Sequence, residues 1–236
     1  PESMLQYCHQ HDIEPLIYGK DFTIELDQSK RRFEWRSKKR VFESLPLPFG
    51  QHGHQLKNAA TAVQAVLSLE STLPVSELAI STGIAQARAP ARCQLLATNP
   101  CVVLDVAHNV DSVAGLLEFL TDLNIRGQVY AVCGMLADKQ IAETLAQLTC
   151  TVDEWHFASI DHPRGASAEQ IDNILRDYLS DPAGGGGTGT TKSDFQSFHH
   201  DSARDACRVV QRKLKNDDCL VVFGSFFIAS DIIDLI

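Results

Sequence analysis

The chain has 236 residues, 44% of them apolar, which is enough for a large packed domain and excludes a wholly disordered chain. Its net charge of −9, from 21 basic and 30 acidic residues, comes without a basic block, so no nucleic-acid partner is expected: neutralising phosphates takes clustered Lys and Arg. The longest apolar run, Cys219 to Ala229, is broken at Gly224-Ser225 and is too short to span a bilayer, so no membrane partner is expected either.

The first ninety residues read as short strands followed by helices. Phe22–Leu26, Arg32–Arg36 and Val41–Leu45 look like a meander, and the basic residues between Lys30 and Arg40 fit the outer face of two of its strands. After Pro46-Leu-Pro48 a helix is predicted from about Gln55 to Leu69, with Ala59, Ala62, Val63, Val66 and Leu67 apolar. A second helix covers Val75–Ala87, with Ser76 near its start. Ala87-Arg-Ala-Pro-Ala91 reads as a hinge because Pro90 resists continuing a helix, and a domain boundary is placed there: residues 1–90, then 91–236. The first part shows no obvious core of its own, so it is expected to be the tail of a larger domain. The opening Pro-Glu-Ser-Met likewise reads as the middle of a longer protein.

Beyond residue 100, apolar strand runs and helical periodicities alternate. Cys101–Val106 precedes a helix carrying Val113, Leu116, Leu117 and Leu120. Gln128–Cys133 precedes one that Asp138 would cap, with Ile141, Leu145 and Leu148 on its face. Val152–Ala158 is followed by a helix opened by Ser167 and Gln170, a capping-box pair, with Ile171, Ile174, Leu175 and Tyr178 inward. Phe195–Phe198, a helix with Ala203, Ala206, Cys207, Val210 and Leu214, the strand Leu220–Phe223 and a last helix from Ser225 complete the pattern. The fold class expected is α/β, a Rossmann-like, mainly parallel sheet with helices on both faces.

In such sheets, ligands bind beyond the carboxyl ends of the strands. The segments there are Asp105-Val-Ala-His108-Asn109, Gly134-Met-Leu-Ala-Asp138, Asp161-His-Pro-Arg164-Gly165 and Gly224-Ser225. Asp105 and His108 bracket one turn; the carboxylate would accept from sugar hydroxyls and the imidazole would contact an anionic substrate. Position alone equally allows Asp105 to cap local amides and His108 merely to pack.

Six segments in order also carry a family resemblance. Asp105-Val-Ala-His-Asn109 resembles the D-x-A-H-N-P signature of the Mur ligase superfamily's C-terminal domain, in the wording of its folylpolyglutamate synthase branch. His54-Gln-Leu-Lys-Asn-Ala-Ala60 is similar to the helix start that ends the central ATP-binding domain, and Ala89-Pro-Ala-Arg-Cys-Gln94 to the P-G-R-x-Q linker. Gly134-Met-Leu-Ala-Asp-Lys139, Pro163-Arg-Gly-Ala-Ser167 and Val222-Phe-Gly-Ser225 match the remaining turns. Ala91 stands for the pattern's Gly and Val110 for its Pro. The resemblance implies a Mur ligase C-terminal domain preceded by the end of the central ATP-binding domain, in a folylpolyglutamate synthase/dihydrofolate synthase.

That family joins glutamate to a dihydropteroate or folate carboxylate through an acyl phosphate made from ATP, with Mg²⁺. By matching position, Asn58, Arg92 and Asp105 would contact ATP, Arg92 through its planar cationic fork. His108 and Ser225 would lie near L-glutamate. No catalytic residue and no metal ligand is expected in this chain; the Mg²⁺ ligands and P-loop belong to the family's preceding part, so the chain alone is expected to be inactive. Its partners are then ATP, L-glutamate and dihydropteroate or folates, and it is expected to be a monomer.

No G-x-x-x-x-G-K-[ST] occurs; in Gly184–Ser193 the lysine position holds Thr190, and the run follows a helix and precedes a strand, so an insertion is expected rather than a phosphate loop. His9 with His11, His52 with His54, and His199-His200-Asp201 lack a third ligand at metal spacing and read as surface residues. No Gly-x-Ser-x-Gly elbow or Cys–His pair supports a nucleophile. Seven scattered cysteines, none in a C-x-x-C pair, and no signal-peptide pattern point to the cytoplasm. The alternatives are another Mur-type ligase (peptidoglycan precursor or cyanophycin-like) and a non-catalytic Rossmann-like binding module.

Overall fold

A computed structural model describes residues 2–27, 29, 31–48, 53–181 and 195–234. The glycine-rich run at 182–194, Lys30, His52 and the side chain of His54 lie outside the described residues. The chain divides into two compact units, Pro1–Arg88 and Ala89–Ile236. No described helix is long and apolar enough to cross a membrane.

The first unit opens with α1 (Glu2–Gln10), which sequence periodicity did not signal; none of its residues is buried, so no apolar face had to be kept. Next come β1 (Phe22–Asp27), β2 (Arg32–Ser37) and β3 (Val41–Pro46), an antiparallel meander as expected. Strand alternation sends Phe33 and Trp35 inward and Arg32 and Arg36 outward. Two helices follow, α2 (Gly53–Ser68) and α3 (Glu77–Gln86), and Ser76 caps the second by accepting from the Ala79 N–H at 3.2 Å. Contrary to expectation, the unit has a core: Phe22, Phe33, Trp35, Phe42 and Leu45 pack with Leu56, Ala60, Val63, Ile80 and Ile84. The Trp35 indole N–H donates to the Ala60 carbonyl at 3.1 Å, so the largest core side chain leaves no buried donor unpaired.

The second unit runs β4 (Gln94–Thr98), β5 (Cys101–Leu104), α4 (Val110–Asp122), β6 (Val129–Cys133), α5 (Ile141–Ala146), β7 (Glu154–Ala158), α6 (Ala168–Ser180), β8 (Gln196–His200), α7 (Ala203–Gln211), β9 (Cys219–Phe223) and α8 (Phe226–Ile232). The sheet order is β4-β5-β9-β6-β7-β8, parallel except for β4. That mainly parallel sheet with helices on both faces is the expected class. Edge strand β4 was not expected, its short Leu95-Leu96-Ala97 run being too brief to stand out. In β9, Cys219, Val221 and Phe223 join a core with α4, α5 and α6, while Leu220 and Val222 face α7 and α8. A strand covered on both sides must be apolar throughout, which is why Cys219–Phe223 shows no alternation.

Two local expectations are corrected. Asp138 does not cap α5: the N-cap is Gln140, without a side-chain bond, and Asp138 pairs instead with Arg164 across the two exit loops. On α6, Ile174 is 39% exposed and Asp172 points inward in its place. Asp172 tolerates burial because it accepts from Arg176 Nε at 2.9 Å, Ser197 Oγ at 2.9 Å and His199 Nε2 at 2.8 Å, tying α6 to β8.

The opposite face holds a second polar strut, which takes His200 out of the class of free surface histidines; His199 is exposed, as expected, while it bonds to Asp172. His200 Nε2 lies 2.8 Å from His156 Nδ1, and His156 Nε2 lies 2.6 Å from Glu154, which also pairs with Lys213. The carboxylate only accepts, so His156 donates through Nε2 and accepts through Nδ1. Burial pushes its pKa down from the ordinary 6.5 to about 4, outweighing the Glu154 carboxylate that favours the charged ring.

Two predictions follow from this packing. Gly224 has φ +118°, and a β-carbon there would sit 2.4 Å from the Gly134 carbonyl oxygen. Gly224→Ala is expected to lose at least about 1–3 kcal/mol of stability in urea unfolding of the chain. For His156, the unfolded ring takes its proton near 6.5 and the folded ring near 4. Between those values the unfolded chain holds more protons, so this contribution is complete above about 6.5 and is lost as pH falls toward about 4. Urea midpoints across that range should fall for the wild type and fall less for His156→Asn; parallel curves would refute the assignment.

Candidate functional site

The order of the strands marks the place. From β5 the chain moves across to β6, β7 and β8 with α4, α5 and α6 on one face, then returns through α7 on the other face to insert β9 between β5 and β6. The connections leaving β5 and β9 therefore diverge to opposite faces. This opens a crevice beyond their carboxyl ends, the position where open α/β sheets take ligands. On the other side of β9 the crevice is closed. A β-carbon on Gly134 would lie 2.4 Å from Ile228 Cδ1 and 2.7 Å from the Ala158 carbonyl oxygen, so only glycine allows that contact.

Asp105 anchors the β5 side. The backbone ladder continues past the strand, Asp105 N–H donating to Val222 O and Val106 N–H to Ala91 O, each at 2.9 Å. The carboxylate, 4% exposed, accepts from the Cys93 and Ala107 backbone N–H groups at 2.5 Å each. Burial pushes Asp105 above the ordinary carboxylate range; those two N–H donors, the Cys93 thiol and the Arg92 charge pull the other way. The same burial, with the Asp105 charge, pushes the Cys93 thiol upward. Asp105 thus clamps the 91–93 linker to the sheet. Each oxygen has accepted one backbone N–H, and a carboxylate oxygen has room for a second donor.

Arg92 is carried on that clamped linker, half-buried, with its guanidinium 5.9 Å from the centre of the Phe226 ring. Ala91 adopts φ +54°, the left-handed region in which the family pattern's Gly would sit without strain. His108 follows the clamp. Its Nδ1 is 2.8 Å from the Val106 carbonyl, which can only accept, so Nδ1 carries the proton and Nε2 is left as the acceptor in the neutral ring. Asn109 caps α4 in a reciprocal box with Ser112, and Val110 takes the first helical position. From β9, Ser225 is 5% exposed and caps α8 by accepting from the Ile228 N–H at 3.2 Å, which leaves its hydroxyl proton to donate elsewhere.

Arg92, Asp105, His108 and Ser225 are thus gathered around the ends of β5 and β9. Asn58 is on α2 in the first unit, where it is exposed and lines a cavity of about 380 Å³ with Gln55, Ala62 and Ile84. Sequence reasoning missed Cys93, whose backbone N–H meets Asp105, and the exposed pair Phe226 and Phe227, the second of which packs its ring 4.8 Å from that of His162. Two aromatics directly after Gly-Ser, at the end of a buried strand, were the available signal. Asp138 and Arg164 join the exit loops of β6 and β7 by an ion pair that holds the Asp138 carboxyl below its ordinary range.

Asp105→Asn tests the clamp. An amide presents one acceptor and one donor edge, so one of the two backbone N–H groups would face another donor. A loss of about 1–3 kcal/mol in urea unfolding is expected; an unchanged midpoint would mean the carboxylate does not organise the linker.

Comparison with known proteins places this geometry. Residues 91–226 match the family model described as Mur ligase, glutamate ligase domain. The dihydrofolate synthase/folylpolyglutamate synthase of Escherichia coli (strain K12) is 39% identical over 196 residues, which are 83% of this chain and 40% of that protein. The solved E. coli FolC in complex with DHPP and ADP superposes with a TM-score of 0.79 at 31% identity, over 100% of this chain and 50% of that one. A bifunctional folylpolyglutamate synthase/dihydrofolate synthase with Mn, AMPPNP and L-glutamate bound gives 0.77 at 31%, over 100% and 51%. The chain spans about half the length of these relatives. With more than half of its residues inside the family model, the chain belongs to the Mur ligase family, through its glutamate ligase domain.

Proposed function

We propose that this chain is part of an ATP-dependent ligase that adds L-glutamate to dihydropteroate or folate, and that its second unit supplies nucleotide and glutamate contacts. The observation that carries the reading is the convergence of Arg92, Asp105, His108 and Ser225 on the switch-point crevice of a glutamate ligase domain. The similar proteins with ADP, AMPPNP and L-glutamate bound support the same substrate set.

In the proposed reaction the terminal phosphoryl group of ATP passes to the folate or pteroate carboxylate. The glutamate α-amine then attacks the acyl phosphate, and the tetrahedral intermediate collapses to the amide with release of phosphate. Arg92, fixed in direction by the Asp105 clamp on its linker, offers a planar cation to the nucleotide. Asp105 accepts from nucleotide hydroxyls with its remaining lone pairs. His108 Nε2 and the Ser225 hydroxyl proton are the free acceptor and donor for glutamate. The acyl phosphate is hydrolysable, so excluding water from it is part of the task. A divalent cation, when bound, would offset the phosphate charge. Among the described residues no three carboxylate, imidazole or thiol groups gather as a metal site.

The sequence holds no G-x-x-x-x-G-K-[ST], so the phosphoryl-transfer machinery is assigned elsewhere in the enzyme. Phosphate release should be measured with ATP, Mg²⁺, glutamate and dihydropteroate for the full-length protein and for this chain. Turnover is expected only in the former, and Arg92→Ala there should lower kcat/KM by about 10- to 100-fold, the worth of one charged hydrogen-bonding group. Turnover by the chain alone, or an Arg92→Ala enzyme indistinguishable from wild type, would overturn the assignment.

A further inference from the structure

At the amino ends of the strands, opposite the candidate site, two cysteines from distant parts of the sequence stand side by side. β5 and β9 are parallel neighbours, and Cys101 and Cys219 are direct register partners. Side chains at one register position of parallel neighbours project to the same face, and both thiols join the core on the α4–α6 face. The Cys101 N–H donates to the Asp218 carbonyl at 2.9 Å and the Cys219 N–H to the Gln128 carbonyl at 2.9 Å, so the backbone pins both residues. Direct register pairing thus sets the two thiols beside each other on that face. They differ in access: Cys219 is fully buried, whereas Cys101 is partly exposed and lines a cavity of about 280 Å³ with Thr98, Asn99, Asn124 and Asp217.

We propose that Cys101 and Cys219 form a reversible dithiol–disulfide site, oxidised by a low-molecular-weight disulfide that enters at Cys101. The Cys101 thiolate attacks one sulfur of R–S–S–R, forming Cys101–S–S–R and expelling RS⁻. Cys219 gives up its proton and attacks the Cys101 sulfur, breaking the mixed bond and expelling the second RS⁻. The protein loses two hydrogens and the small disulfide becomes two thiols. The order of attack follows from access and from charge. The neighbouring Cys219 thiol lowers the Cys101 pKa, while the closeness of Cys101 and burial raise the Cys219 pKa.

The spacing of the strands explains why the bond would be labile. Paired strands stand about 4.7–4.9 Å apart, inside the Cα–Cα range of a disulfide but wider than its usual Cβ–Cβ separation of about 3.5–4.5 Å. Closing it draws two hydrogen-bonded strands together, and a bond formed under such strain is the more readily reduced. A cytoplasmic thiol pool would therefore reopen it.

The test uses the whole chain with glutathione disulfide as probe, alkylation of remaining thiols and a chymotryptic map without reduction, since cleavage after Leu95 and Leu96 separates Cys93 from Cys101. The expected result is a peptide pair joined through Cys101 and Cys219, lighter by two hydrogens and released by dithiothreitol. In Cys101→Ser, Cys219 should stay a free thiol because it has lost its entry partner. Exposed Cys150 serves as the internal measure that the oxidant was active. A stable glutathione adduct on Cys101 with Cys219 still free would overturn the proposal, since the sulfurs then do not meet. So would both remaining reduced while Cys150 is modified.

Discussion

The larger unit depends on one constraint, the return of the chain to place β9 between β5 and β6. A strand in that position pairs on both edges and is covered on both faces, so it can carry only apolar side chains; Cys219–Phe223 is fully buried. Because the return connection lies on the face opposite α4–α6, the exits from β5 and β9 diverge. One side of β9 becomes a crevice and the other is sealed by the approach of Gly224 to Gly134. The candidate site is therefore a consequence of topology before any polar side chain is considered.

The polar groups then do two jobs at once. Asp105 holds the linker that carries Arg92, Ser225 and Asn109 cap helices, and His108 is held through Nδ1. In each case one part of the group is used for structure and another remains available: carboxylate lone pairs, a hydroxyl proton, Nε2. A ligand contact made through a group already fixed in this way costs little further ordering, which is the physical content of preorganisation. It also means that the two readings of the Asp105-Val-Ala-His108 turn, amide cap and ligand contact, do not compete.

Much of this was legible in the sequence, and the legible parts share a cause. The meander, helices α2 and α3, and the caps at Ser76 and Ser167 are local: turn chemistry, periodicity and a hydroxyl three residues before an N–H specify them within one window. Apart from α1 and β4, whose own patterns are weak, what was missed is non-local. Asp172 is buried where Ser197 and His199, on β8, complete the hydrogen bonds that Arg176 begins, and Ile174 on the same helix faces outward. His156 and His200 meet across two strands separated by α6. Asp138 was read as a cap because its partner Arg164 lies in a different loop. The rim residues came mostly from motif resemblance, and Phe226 and Phe227, which no motif named, were passed over.

The two departures from the family pattern fall at the clamp and at the helix beyond it, and the geometry separates their effects. Val110 sits at the first helical position, where proline would only pre-set a backbone angle; the Asn109–Ser112 box already fixes that entry, so little is lost. Ala91 carries the larger strain. At φ +54° an L-residue is held in the left-handed region at a cost of roughly 1–2 kcal/mol, and it stays there because its carbonyl accepts from Val106, its N–H donates to the Gln94 side chain at 2.8 Å and its methyl is buried. The same bonds point the following residue, Arg92, along the rim. A linker that keeps its shape despite the wrong residue for its conformation is one whose shape is over-determined, and the Asp105 carboxylate, bonded to Cys93 on the far side of Arg92, is what over-determines it.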